Sequence, residues 1–149
     1  MRYVSTFLVT MLFAGAASAQ ALKVRESTST SVPETVERLV KAIEGNGLKV
    51  AARVDHAAGA KAAGLDMPPT EVVMFGNPKL GTPLMLANPE LAVDLPLKIV
   101  VWQSPSGKVM IGYTSAEALK LRFDIKDKDA SFKAMSDALE GFAAAAAGP

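Results

Sequence analysis

The sequence contains one histidine, His56, directly after Asp55. An imidazole at the end of a strand and the start of a helix can serve as general base, proton switch or metal ligand. Neighbours on a strand point to opposite faces, so Asp55 need not orient the ring. The competing reading has Asp55 capping the helix and His56 making a structural hydrogen bond. A second cluster lies in Phe75-Gly76-Asn77-Pro78-Lys79-Leu80-Gly81-Thr82. Chain that turns at Asn77-Pro78 and again at Gly81-Thr82 would expose backbone N–H groups beside Lys79, a cradle for an anion or carboxylate. Thr82 can equally be a plain helix cap followed by Pro83. Met67 and Met85 fall in irregular chain near these groups, and thioether sulfur with imidazole suits Cu(I). No M-x-M or M-x-x-M spacing supports copper, and Met74, Met110 and Met135 fit core positions. Other chemistry has no residues to carry it. There is no G-x-S-x-G elbow, Walker loop, H-E-x-x-H or calcium loop. The absence of cysteine removes disulfides, zinc thiolates, iron–sulfur clusters and thiol nucleophiles. No cofactor is expected.

The elements that must position these groups are readable from periodicity. Lys23 to Thr30 alternates as a strand. Ser31-Val32-Pro33-Glu34 forms a capping box, with Glu34 reaching back to the cap. Val36, Leu39, Val40 and Ile43 follow on one helical face, and Gly45-Asn46-Gly47 ends the helix. Leu48 to Val54 reads as a strand with Leu48, Val50, Ala52 and Val54 on one face. His56 to Gly64 is a short alanine-rich helix, and Met67 to Thr70 is extended because each proline restricts its predecessor. Glu71 to Gly76 is an apolar strand. A short helix is expected near Pro83–Ala87 and a turn near Pro89–Ala92. Leu97–Gln103 and Lys108–Thr114 form a hairpin about Ser104–Gly107, which sets Trp102 near Val109 with Tyr113 further along. These two aromatics suit a cavity, an interface or the anchoring of a sheet face. Ser115 to Leu121 makes one or two helical turns. Asp129 caps a last helix with Phe132, Met135, Leu139 and Phe142 as its apolar stripe, and Ala143–Pro149 is expected to fray. The strands do not alternate regularly with long helices. The fold class is therefore α+β, a mainly antiparallel sheet with helices on one face.

The N-terminal residues 1–19, MRYVSTFLVTMLFAGAASA, read as an export signal: Arg2, an apolar stretch from Val4 to Ala14, and Ala17-Ser18-Ala19 before a mature start at Gln20. The apolar run is too short to span about 30 Å of hydrocarbon, so no stable membrane insertion is expected after cleavage. The chain divides into a signal peptide 1–19, a domain 20–142 and a tail 143–149, with a periplasmic or secreted destination. Losing Arg2 takes Lys+Arg from 16 to 15, against 15 Asp+Glu, so the formal charge falls from +1 to zero. The basic residues are scattered, which excludes nucleic acid held by phosphate attraction.

Asp55-His56, Pro68-Pro69-Thr70-Glu71, Phe75-Gly76-Asn77-Pro78, Gly81-Thr82-Pro83-Leu84-Met85 and Asp94-Leu95-Pro96-Leu97-Lys98 stand in that order. Together they resemble the signature blocks of domain of unknown function family 302, from about Ser31 to Thr114. The F-G-N-P-x-x-G-T-P-L-M and D-L-P-L-K blocks are the specific part. The resemblance implies a β-α-β-rich sheet of the TATA-binding-protein-like type, often self-associating, with no settled activity. The resulting expectation is a non-catalytic exported binding or interaction module, self-associating as a homodimer. Its ligand would be a small anion or metabolite held by His56, Asn77, Lys79, Gly81, Thr82 and Met85. One alternative is a hydrolase-like or lyase-like enzyme with His56 as general base, and another is a Met/His copper-binding periplasmic protein.

Overall fold

A computed structural model of the chain describes residues 21–149; the expected signal peptide lies outside the described residues. Five strands pair in the order β1-β5-β4-β3-β2, every neighbour antiparallel: β1 Leu22–Glu26, β2 Lys49–Asp55, β3 Thr70–Gly76, β4 Leu97–Gln103 and β5 Val109–Thr114. The first two strands in sequence thus form the two edges, and α1 (Val32–Gly45) crosses between them. The α+β class with helices on one face of an antiparallel sheet is the observed architecture.

The sheet's two faces follow from strict alternation in β3 to β5. Val73, Phe75, Ile99, Val101, Val109, Ile111 and Tyr113 face α1 and α5 (Asp129–Ala147) and are buried. From α1 the core takes Val36, Leu39 and Ile43; from α5 it takes Phe132, Met135, Leu139 and Phe142. Phe142 meets Phe75 edge-to-face with centroids 5.4 Å apart. The opposite face carries Val24, Val54, Val72, Val100, Trp102 and Met110. Trp102 is opposite Met110, not Val109, because the hairpin turn is one residue longer on its second arm than the expected register assumed. Its ring lies over Gly112: a Cβ there would come within 2.9 Å of Trp102 Cζ3. The aromatic thus covers a strand glycine and anchors the sheet.

Helix boundaries show where local signals succeed. Ser31 Oγ accepts the Glu34 N–H at 3.3 Å, and Gly47 supplies the left-handed φ of 74° after α1. The reciprocal half of the capping box is missing. The Glu34 carboxylate instead accepts from Ser29 Oγ at 2.7 Å and pairs with Arg38. Ser115 caps α4 (Ala116–Arg122) through Ala118 N–H at 3.1 Å. Asp129 is not the cap of α5: Lys128 occupies that position without a side-chain bond, and Asp129, one residue inside, pairs with Lys120. The expected fray of 143–149 is also corrected. The last helix runs to Ala147, with Ala143, Ala146 and Ala147 buried. Ala147 O accepts from Thr28 N and Thr28 Oγ1, both at 2.8 Å, so the end of α5 is tied to the chain leaving β1. Methyl side chains look featureless in sequence, but here their small size is what lets the helix approach closely.

Candidate functional site

Three elements end at one corner of the sheet. The chain leaves β3 at Gly76 and enters α3 (Pro78–Ala87); β4 begins at Leu97, after the 3₁₀ turn Pro89–Asp94 and a cis Leu95–Pro96 bond; β2 begins at Lys49. Between them and the side of α5 lies a cavity of about 400 Å³. Phe75, Leu80, Met85, Leu97, Met135 and Ala138 supply its apolar walls, and Lys49 and Asn77 are its polar side chains. The volume is at the lower end of small-molecule sites, and an apolar lining with few convergent polar groups is their usual character.

The geometry of α3 overturns the anion cradle. The helix starts five residues earlier than expected, with Asn77 as the cap and Pro78 at its first turn, so Gly81, Thr82 and Pro83 are inside it. Asn77 Oδ1 accepts the Lys79 N–H at 2.9 Å, while the N–H groups of Leu80 and Gly81 donate to Asn77 O at 3.0 and 2.9 Å. Pro78 has no N–H to offer. The donors that were to hold an anion are satisfied within the chain itself. Thr82 is consequently neither a cap nor a lining residue, and Lys79 is exposed outside the cavity.

Of the six residues expected to share one site, Asn77, Gly81 and Met85 line the cavity and the other three do not. His56 is the first residue of α2 (His56–Ala62) and is exposed. Asp55 Oδ1 accepts the Ala58 N–H at 2.9 Å, which is the capping role weighed above. Asp55 pairs with Glu71 and Lys49 with Gly76, so the two ends of β2 are far apart. Five residue steps along β3 at ~3.4 Å each separate His56 from the cavity by roughly 17 Å. This separation also parts His56 from Met85, one of the two thioethers considered with it for copper. Among the described residues no three His, Asp or Glu side chains converge as metal ligands. Sequence reasoning missed Lys49, Met135 and Ala138 as lining groups. Nothing local marks them, because they come from two distant parts of the chain, the start of β2 and the middle of α5.

The main electrostatic feature lies away from the cavity. Arg53 Nε donates to Glu71 Oε1 at 2.6 Å and its Nη1 to Glu37 Oε1 at 2.8 Å. These bonds hold the guanidinium well above its ordinary pKa, with Glu71 the larger cause. Glu71 is nearly buried, and the bridge ties the edge strand β2 to both β3 and α1. It adds to the backbone ladder with β3 in holding a strand exposed along almost its whole length.

Comparison with known proteins agrees with this architecture. Residues 24–142 match the family described as Domain of unknown function DUF302, and the chain belongs to that family. The crystal structure of an uncharacterized conserved DUF302 protein from Bacillus stearothermophilus superposes with a TM-score of 0.75. It covers 84% of this chain and 97% of that one at 21% identity, which establishes a shared fold. Curated relatives include Fluoride-specific ion channel FluC 1 of Brucella suis biovar 1 (strain 1330), 42% identical over 106 residues. FluC 2 of Brucella melitensis biotype 1 is equally similar over the same length. The match covers 70% of this chain but only 42% and 39% of those proteins. No helix among the described residues is long and apolar enough to cross a membrane.

Proposed function

We propose that this chain is an exported, non-catalytic binding module whose ligand occupies the apolar cavity at the β2–β3–α3 corner. The cavity itself carries the reading: about 400 Å³ bordered by Phe75, Leu80, Met85, Leu97, Met135 and Ala138, in a domain of modest size. A small apolar molecule gains roughly 25 cal/mol per Å² of surface removed from water there. The ligand class therefore differs from the small anion expected of the Gly81 segment. The general-base alternative loses support because His56 is exposed and far from the cavity. The test is thermal unfolding with a neutral apolar probe, decanol. A rise in melting temperature that is lost when Ala138→Phe fills the cavity supports the reading. No rise, or a rise unaffected by the substitution, overturns it.

We infer that the channel activity named for the Brucella relatives belongs to the part of those proteins that this chain does not match, more than half of their length. Export of this chain is part of the proposal and rests on residues 1–19.

A second reading concerns self-association. Val24, Gly112, Val100, Val72 and Val54 form a row across all five strands on the face turned away from α1 and α5. Val24 is 46% and Val54 36% exposed. A contiguous apolar row of this kind suits a second copy packed face to face. Sedimentation of the protein should show a dimer, and Val100→Glu should yield a monomer. A wild-type monomer at high concentration overturns this reading.

A further inference from the structure

We propose that the cavity takes an amphiphile of one polarity: a medium-length apolar chain or ring system with an anionic head group held at the rim by Lys49 and Asn77. The inference rests on the reading of the cavity as the ligand site and adds the class of ligand.

The polar groups at the cavity are mainly hydrogen-bond donors. Asn77 Oδ1 already accepts the Lys79 N–H, which fixes the orientation of the amide and leaves its NH₂ to face other partners. Lys49 brings three further N–H donors and a positive charge. Among the described residues its ammonium has no carboxylate within ion-pair distance. With one lone pair of Asn77 Oδ1 already taken, the donors of Lys49 and Asn77 outnumber the acceptors, which favours a head group that accepts hydrogen bonds, and the lysine charge favours an anion over a neutral acceptor. A cationic head would meet a like charge and find only Asn77 Oδ1, already engaged by Lys79 N–H, to donate to.

The interior sets the rest of the molecule. No charged or polar side chain other than Lys49 and Asn77 lines it, so the body of the ligand is hydrocarbon. Met85 and Met135 lie on α3 and α5, two sides of the space. Unbranched thioethers adapt to differing shapes, so the site tolerates variation in chain or ring while the rim selects the head. Gly81 leaves room on α3: a Cβ there would make only ordinary contacts, at 3.5 Å to Leu95 Cδ1 and 3.9 Å to Met85 Cε.

Three probes of equal chain length separate the effects: decanoate, decanol and decylamine, each titrated below its aggregation concentration by displacement of a neutral solvatochromic dye. The expected order is decanoate, then decanol, then decylamine. Each step is about two- to fivefold in Kd, the worth of an exposed charge pair. The decanoate advantage should shrink as salt is raised, and Lys49→Glu should reverse the order. Ala138→Phe and Gly81→Leu, on different helices, should each weaken all three probes at least tenfold; the pair guards against one variant failing to fold. Equal affinities for the three heads, with both filling variants abolishing binding, overturn the anionic head while leaving the apolar site standing. Binding of none of the probes, or binding indifferent to both fillings, overturns the cavity reading itself.

Discussion

Ending the chain after Phe142 removes seven residues that look dispensable, five of them alanine. Three of those alanines, Ala143, Ala146 and Ala147, are at most 5% exposed. Each buried methyl is worth about 0.8 kcal/mol. The truncation also removes Ala147 O, which accepts from Thr28 N and Thr28 Oγ1, and intramolecular hydrogen bonds contribute about 0.5–1.5 kcal/mol each. The structure therefore predicts a loss of about 3–5 kcal/mol, a large share of the ~5–15 kcal/mol that holds an ordinary domain. At this size each kcal/mol moves the melting temperature by roughly 3–5 °C, so the midpoint should fall by at least about 10 °C. Equilibrium urea unfolding followed by circular dichroism measures the free energy, and a thermal scan checks it. Two point variants separate packing from length. Ala146→Leu overpacks a buried site and should cost about 1–3 kcal/mol, whereas Ala145→Leu, on the exposed side of the same turn, should stay within about 0.5 kcal/mol. A truncated protein within about 0.5 kcal/mol of the full chain would refute the docked helix end and restore a frayed tail.

Gly112→Val should disturb the sheet through Trp102, whose ring leaves no room for a Cβ. A changed Trp102 fluorescence spectrum with about 1–3 kcal/mol lost in urea unfolding is expected, and an unchanged spectrum argues against the stacked ring. Glu34 has its pKa lowered from the usual 4.5, first by the Ser29 hydrogen bond and then by the Arg38 charge. A depressed folded-state pKa gives stability that is present above pH 4.5 and lost as the pH falls through the folded value. Glu34→Gln should therefore lower the urea midpoint near neutral pH and converge with wild type in strong acid; parallel curves across the acid range would contradict this. Tyr113 is shifted upward, mainly by burial, so its contribution is present below about pH 10 and is lost as the pH rises through the higher folded value. Spectrophotometric titration of the phenol should place its ionisation above that of free tyrosine.

Most of the elements were legible because their causes are local. The apolar stripe Val36, Leu39, Ile43 and the Ser31 cap are properties of a dozen consecutive residues, and α1 forms where they place it. Alternation through Leu97–Gln103 and Val109–Thr114 specifies which side chains face the core. The misreadings have equally physical causes. Gly81-Thr82-Pro83 looks like a second helix start, yet a proline is tolerated inside α3 once Asn77 has capped it and Pro78 has opened it. The alanine tail shows no amphipathic stripe of large residues, and its burial depends on Thr28 and Ser27, more than a hundred residues earlier.

The family blocks, the α+β class and the order of the elements are readable along the chain, since periodicity, caps and turn residues act over a few positions. The site depends on how distant elements pack. The pairing of β2 with β3 runs antiparallel, so it sends His56 to one end of the strand while holding Lys49 beside Gly76 at the other. The docking of α5 then brings Met135 and Ala138 to Asn77, Gly81 and Met85. Register and helix packing are long-range consequences of burying one continuous core, and no local spacing encodes which distant residues that burial brings together.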